Sequence, residues 1–595
     1  VDLATATASP PPWLARLHPE SLPVTGDGVT LWPGSRQQYC PSSPAYRSAA
    51  QRLVQRLAER YKDHPALALW HVGNEYACHV SECFCDESAR DFRRWLRRRY
   101  GSLDALNAAW GTAFWSQQYG DWDEINPPRA APTYQNPTQQ LDWRRFSSDA
   151  LLECYELERA VLKELTPDVP VTTNFMHGFK PLNYWQWAAR EDVVSLDMYP
   201  DPTDPQAHVY AALNYDLMRS LAGGRPWLLM EQATSQVNWR PHNLIKRPGQ
   251  MRLWSHQALA RGSAGAMFFQ WRASRAGSEK FHSGMVPHAG TETRTWREVV
   301  GFGQELKQLD ALLPTRVRAE VAIVFDWESW WALEFDSKPT VDLRLLDQVR
   351  SYYDPLFLRN ITVDFVPPEA DLSGYRLVLV PNLYLVTDAA AQNLERYVAE
   401  GGALVMSFFS GIVDQHDHIR LGGYPAPFRK LLGLRVEEFA PYAPGETHGL
   451  SVDDGTRHGC GLWSDIIDLE GATAIAEYTD GFFAGRPALT RHTFGQGVAF
   501  YAGTRPEAEG MGWLLERVCR EAGVAPAAAV PEGVEALWRE AGSVSLLYLL
   551  NHQQAPVEIP LDAPAQDLLT GQEHRGTLTL AAQGVAILRQ ERERR

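Results

Sequence analysis

From residue 1 to about 310, short apolar runs alternate with longer stretches in which apolar positions recur every three or four residues. Short apolar runs bounded by turn formers predict buried strands, and the 3–4 spacing predicts amphipathic helices. The pattern predicts six strands, at 1–7, 66–72, 169–175, 192–198, 226–231 and 264–270. Helices are expected between them, among others at 46–61, 88–100, 143–165 and 250–261. Strand–helix alternation builds a parallel sheet, and strands that end in polar or acidic residues are the habit of a (β/α)8 barrel. A barrel takes eight strands, and here the chain opens inside one. The expected fold of 1–312 is therefore a TIM barrel lacking its first two βα units, and such an open barrel is not expected to be stable or active by itself.

The α/β rhythm restarts after residue 312, with strands expected at 321–325, 361–365, 377–381, 403–407 and 498–502 and a helix at 388–400. That pattern predicts an open doubly wound α/β domain over 313–525. From 526 to 595 only short strands and turns remain (534–538, 544–550, 557–561 and 576–589), which predicts a small C-terminal β-sandwich.

Bulk properties narrow the function. The chain has 595 residues, too many for one core, and its net charge of −15 argues against a nucleic-acid partner. No apolar run reaches the roughly 20 residues that span a bilayer. No membrane partner is expected, and the expected location is the cytoplasm. The 21 tryptophans include several in polar contexts, such as Trp185-Gln186-Trp187 and Gln270-Trp271-Arg272. Aromatic faces beside hydrogen-bonding groups suit sugars, although most of these rings are simply expected in the core.

Two predicted strands stop at a carboxylate. Trp70-His71-Val72-Gly73 leads into Asn74-Glu75, and Trp227-Leu228-Leu229-Met230 leads into Glu231. In a parallel barrel both ends lie on the C-terminal face, above one pocket. A nucleophile and an acid/base about 5–5.5 Å apart are what glycoside hydrolysis with retention requires. Asn74 is placed to hydrogen-bond a sugar 2-hydroxyl. Asp197, also at a strand end, ranks below the two glutamates as a supporting carboxylate.

The runs His71-Val72-Gly73-Asn74-Glu75-Tyr76, Leu229-Met230-Glu231-Gln232 with Asn238-Trp239, and Phe269-Gln270-Trp271-Arg272 resemble glycoside hydrolase family 42 β-galactosidases. The resemblance covers essentially the whole chain and its three-domain order. It implies a retaining exo-β-galactosidase acting on terminal β-D-galactose, with Glu75 as proton donor and base and Glu231 as nucleophile. It implies a galactose pocket built from Arg36, Asn74, Trp239, Glu279 and His282. It also implies two βα units ahead of residues 1–7, and a flavodoxin-like middle domain that assembles the intact protein as a homotrimer.

Seven cysteines occur, three of them between Cys78 and Cys85, a crowding that suggests a metal site rather than a disulfide ladder. The resemblance implies a structural zinc held by Cys40, Cys83 and Cys85. Ser88 stands where a fourth cysteine would be, and Cys78 or His79 are the alternatives for that ligand. No cofactor is expected for catalysis. The Arg93–Arg99 run reads as the solvated face of a helix with Trp95 and Leu96 turned inward, and Gly301-Phe302-Gly303 as an incomplete dinucleotide fingerprint. Rival readings are an α-L-arabinopyranosidase of the same family, a sugar-binding or assembly fragment without turnover, and a metal-dependent hydrolase.

Overall fold

The structure is a computed structural model that describes residues 1–590. Its first 270 residues carry seven short strands: β1 (Asp2–Ala4), β2 (Leu69–His71), β3 (Val171–Thr172), β4 (Asn174–Met176), β5 (Ser195–Asp197), β6 (Trp227–Glu231) and β7 (Ser263–Ala266). All pairings are parallel, in the order β1-β2-β3 and β4-β5-β6-β7. β3 and β4 are one run broken at Thr173, so the six expected strands form a continuous arc. Among the described residues no pairing joins β7 back to β1.

Each helix around the arc is set by local chemistry. The helix Pro44–Tyr61 begins with Ser43 accepting from the Tyr46 N–H and with proline in its first turn. It buries Tyr46, Ala50, Val54 and Ala58, one residue per turn, against the 29-residue helix Pro137–Leu165. Helix Asp86–Tyr100 has Asp86 and Glu87 in its first turn and Arg97–Arg99 in its last, which complements the helix dipole. As expected, Trp95 and Leu96 face inward. Gly301–Gly303 lies inside the helix Arg294–Leu306 and forms no nucleotide loop.

The second region carries strands β8 (Val321–Val324), β9 (Val363–Val366), β10 (Leu377–Val380) and β11 (Ala403–Ser407), joined by the strand Gly497–Ala502. Their order, β9-β8-β10-β11 and then 497–502, is the flavodoxin-like sequence of a doubly wound sheet. The expectation omitted what lies between β11 and that last strand. Five antiparallel strands from Leu434–Pro441 to Pro487–Phe494, with Thr504–Pro506 beyond them, extend the sheet to eleven strands. These strands alternate buried and exposed residues, for example in Leu434–Pro441, a weaker signal than the unbroken apolar runs of the parallel core. The C-terminal region packs a five-stranded sheet over a pair, and the expected strand at 576–589 is two strands, Thr577–Leu580 and Val585–Gln590.

Tryptophans seal the first region to the second. Trp185, Trp327 and Trp331 each donate an indole N–H across the boundary, to the carbonyls of Phe325, Phe179 and Lys180 at 2.8, 3.0 and 2.6 Å. Trp185 and Trp187 are therefore structural; Trp187 is fully buried. A buried ionic network ties in all three regions: Asp216 meets Arg219 and Arg261, Arg219 reaches Asp364, and Arg261 reaches Glu535.

Candidate active site

The acid-bearing loop leaves β2 through a tight turn. Gly73, Glu75 and Ala77 all have positive φ, at 63°, 44° and 68°. At Gly73 a side chain is excluded outright, since a Cβ would lie 2.8 Å from the Tyr76 ring. For Glu75 the left-handed conformation costs about 1 kcal/mol or more, and neighbours hold it. Gln37 donates to the carbonyls of Asn74 and Glu75 at 3.1 and 2.6 Å, and Asn174 accepts from the Glu75 N–H at 2.8 Å. Thr5, at the end of β1, accepts from the Gly73 N–H at 3.0 Å and donates to buried Glu158 at 2.8 Å.

Glu75 and Glu231 converge, although 156 positions separate them. Carboxylate oxygens of Glu75, Glu231 and Asp197 all lie within 4.8 Å of one another. Arg36 forms an ion pair with Glu75 Oε2, which also accepts from Asn74 Nδ2 at 3.2 Å, and the Arg36 Nε bonds His79 at 2.9 Å. The Tyr199 hydroxyl donates to Glu231 Oε2 at 2.5 Å, while the Tyr199 carbonyl accepts from Arg240 at 2.5 Å. Burial, and then the charge of Glu75, push the Glu231 carboxyl up to about 7 against the pull of Tyr199, His71 and Arg36.

Asn174 is the hub beneath the pair. Its Oδ1 serves the Glu75 N–H and lies 2.9 Å from His71 Nε2, and its Nδ2 donates to Asn74 Oδ1 at 3.0 Å and to Asp197 Oδ2 at 2.5 Å. Burial weakens the proton affinity of His71, but the Asp2 carboxylate, 3.6 Å from Nδ1, overcomes it and holds the ring above the usual histidine range.

Aromatic rings line the Glu231 side. Trp239 stacks on His282 at 5.2 Å, and both meet the Tyr199 ring edge-on, at 4.9 and 5.9 Å. His282 is buried. Its Nδ1 lies 2.8 Å from the Ser283 carbonyl, and its Nε2 has no protein partner. Burial holds this imidazole below the usual range, hence neutral near pH 7. Trp239 is half exposed. Glu279 is exposed and starts the turn that places His282, its carbonyl accepting the His282 N–H at 3.0 Å.

The seven expected site residues thus lie in one neighbourhood, together with several that sequence reasoning missed: Gln37, Asn174, His71 and Tyr199. Tyr199 had a signal, because it follows Asp197 at a strand end. Asn174 had none, since nothing local marks an asparagine in mid-strand as a hub.

The sulfur cluster is separate. Cys40, Cys83 and Cys85 bring Sγ atoms within 4.8 Å of one another, and Ser88 Oγ lies 3.2 Å from Cys40 Sγ and 3.7 Å from Cys85 Sγ. Three thiols this close could hold a metal ion, but a tetrahedral structural site takes four N or S ligands, and Ser88 puts a hydroxyl in the fourth place. Neither alternative fourth ligand joins the three thiols: His79 is engaged by Arg36, and the Cys78 thiol lies near Arg36, Glu75 and Glu231.

Paired carboxyls above a parallel strand arc, beside aromatics and hydrogen-bond donors, are the working parts of a glycoside hydrolase. Family models described as β-galactosidase, β-galactosidase trimerisation domain and β-galactosidase C-terminal domain match residues 1–309, 319–525 and 533–590. A β-galactosidase from Geobacillus kaustophilus is 50% identical over 597 residues, covering 100% of this chain and 88% of the relative. One from an Arthrobacter species is 51% identical over 594 residues, covering 99% of this chain and 84% of the relative. The crystal structure of a β-galactosidase from Bacillus circulans sp. alkalophilus superposes with a TM-score of 0.95 at 42% identity, covering 99% of this chain and 88% of that one. The chain belongs to glycoside hydrolase family 42, the β-galactosidase family.

Proposed function

We propose that this chain is a retaining exo-β-galactosidase that releases terminal non-reducing β-D-galactose by double displacement, with Glu231 as nucleophile and Glu75 as acid and then base. The observation that carries the reading is the separation of the two carboxyls. Oxygens within 4.8 Å suit direct attack on the anomeric carbon, whereas an inverting pair stands about 6.5–9.5 Å apart to admit a water.

In the first step a Glu231 oxygen bonds to the anomeric carbon as the bond to the leaving oxygen breaks and Glu75 transfers its proton to that oxygen. In the second, Glu75 takes a proton from water, which displaces Glu231. The proton must therefore reside on Glu75 when substrate is bound. Sugar hydroxyls that engage Arg36 and Asn74 would draw these two donors away from the Glu75 carboxyl. Tyr199 meanwhile stabilises the Glu231 carboxylate. Trp239 stacks on the sugar's apolar face, and His282 Nε2, with Glu279 beside it, takes hydroxyls at the far edge.

The middle domain assembles the protein as a homotrimer, a reading supported by the trimerisation-domain match. A zinc ion held by Cys40, Cys83, Cys85 and the Ser88 hydroxyl would brace the loop carrying Arg36 and the segment after Glu75, without entering the reaction.

The test of the mechanism is Glu231→Ala assayed with a β-galactoside bearing a good leaving group, with and without azide. Rescue should yield α-galactosyl azide. Azide rescue of Glu75→Ala to the same α-product, with none for Glu231→Ala, would reverse the assignment.

A further inference from the structure

The double displacement uses two of the three carboxyls in the cluster. The third, Asp197, is nearly inaccessible at the end of β5. Its Oδ2 accepts from Asn174 Nδ2, and its Oδ1 is buried with no donor directed at it. The groups facing it are Glu75 on the loop after β2, Glu231 on β6, Asn174 on β4, and the hydroxyl-bearing rings of Tyr199 and Tyr184. The basic side chains of the site, Arg36 and His71, pair with Glu75 and with Asp2. As an anion, Asp197 would set an uncompensated charge against two other carboxyls in a water-poor pocket, with one oxygen left without a donor. As an acid it gains a use for that oxygen, because an O–H can donate to a carboxylate that faces it.

We propose that Asp197 stands in the site as a neutral carboxylic acid that donates its O–H to Glu75, and so serves as a positioning residue for the acid/base step. The inference rests on the reading of Glu75 as acid/base. When Glu75 gives its proton to the leaving oxygen, the Asp197 hydrogen bond stabilises the carboxylate left behind. Asp197 keeps its own proton throughout, so the cluster holds two protons before glycosyl transfer and one after it, the other having left on the aglycone.

The alkaline limb of kcat/KM against pH, which reports loss of the proton from Glu75, separates this from an ionised Asp197. Asn can still donate to Glu75 and accept from Asn174, whereas Ala can do neither. With a neutral donor at 197, the limb stays in place in Asp197→Asn and rises by roughly one unit in Asp197→Ala, because a hydrogen bond that stabilised the Glu75 anion is gone. The loss of turnover in Asp197→Ala should be greater for alkyl galactosides than for the p-nitrophenyl substrate, whose leaving group needs little protonation. An ionised Asp197 predicts the opposite sign, with both variants moving the limb down; that result, or an unmoved limb in both, overturns the proposal. Infrared difference spectra of the unsubstituted chain against Asp197→Asn at pH 8 supply an arm independent of Glu75's role. The carbonyl band of a protonated carboxyl should be present in the former and missing in the latter, and its absence from both refutes the neutral acid even if the azide experiment succeeds.

Discussion

Replacing Glu231 with Gln should make the protein more stable while abolishing turnover, and the gain should depend on pH in a way the site dictates. The carboxyl sits at about 7 instead of 4.5 because burial and the Glu75 charge disfavour its ionised form. The folded chain therefore binds this proton more tightly than the unfolded chain does. That stabilisation is fully present below pH 4.5 and is lost progressively as pH climbs through 7. At about 1.4 kcal/mol per unit the rise amounts to roughly 3 kcal/mol, and the remaining solvent contact of the strand-end carboxyl brings the expectation to about 2 kcal/mol. Glutamine keeps an oxygen for the Tyr199 hydroxyl and cannot ionise, so it avoids the whole penalty. Calorimetry of parent and variant at pH 5 and pH 8 is the assay. For a region of this size, about 2 kcal/mol corresponds to a rise of roughly 4 °C in the transition that contains the barrel at pH 8, shrinking to about a degree at pH 5. A gap of equal size at both pH values, or a variant less stable at pH 8, would refute the electrostatic account of this site.

Tyr199→Phe removes the O–H donor to Glu231; kcat/KM should fall by about 10- to 100-fold, and the acid limb of its pH profile should move up because the nucleophile ionises less readily. Arg36→Lys cannot reach both Glu75 and His79 with a single ammonium, so steady-state kinetics should show kcat/KM reduced by about tenfold or more despite the retained charge. His282→Ala removes the neutral imidazole facing the pocket and should raise KM more than it lowers kcat, measured with p-nitrophenyl β-D-galactopyranoside; an effect confined to kcat would place His282 outside the sugar contacts. Cys85→Ser, or treatment with a strong chelator, should lower the melting temperature while leaving kcat at 25 °C within about twofold, and metal analysis of the untreated protein should find close to one zinc per chain.

The legible parts of the molecule are those where the physics is local. The parallel strands are buried on both faces, so they appear as unbroken apolar runs, and Trp227–Glu231 starts one residue from its expected position. Glu75 and Glu231 stood out because a charge that ends such a run must face a strand-end pocket. The antiparallel extension between Leu434 and Phe494 did not, because its half-exposed strands mix polar and apolar residues. The polar contexts of Trp185 and Trp187 suggested sugar contacts, but Trp185 bonds across a domain boundary and Trp187 is buried against Tyr76 and Tyr155. Asn174 and Gln37 act through bonds to residues up to about a hundred positions away, and such couplings leave no mark on the neighbouring sequence.

The ionic network at Asp216, Arg219, Arg261, Asp364 and Glu535 sets a condition on how this molecule can be divided. Glu535 is fully buried against Arg261 and is held near 2 despite its burial, with Arg261 the largest of the influences that overcome desolvation, and the same arginine answers Asp216 in the first region. Trimming the chain ahead of residue 533 would leave a guanidinium short of a counter-ion deep inside the portion that remains, an arrangement dearer than never having had the pair. The C-terminal sandwich is thus an electrical complement to the catalytic half, and swapping it between relatives should succeed only where the carboxylate at 535 comes along.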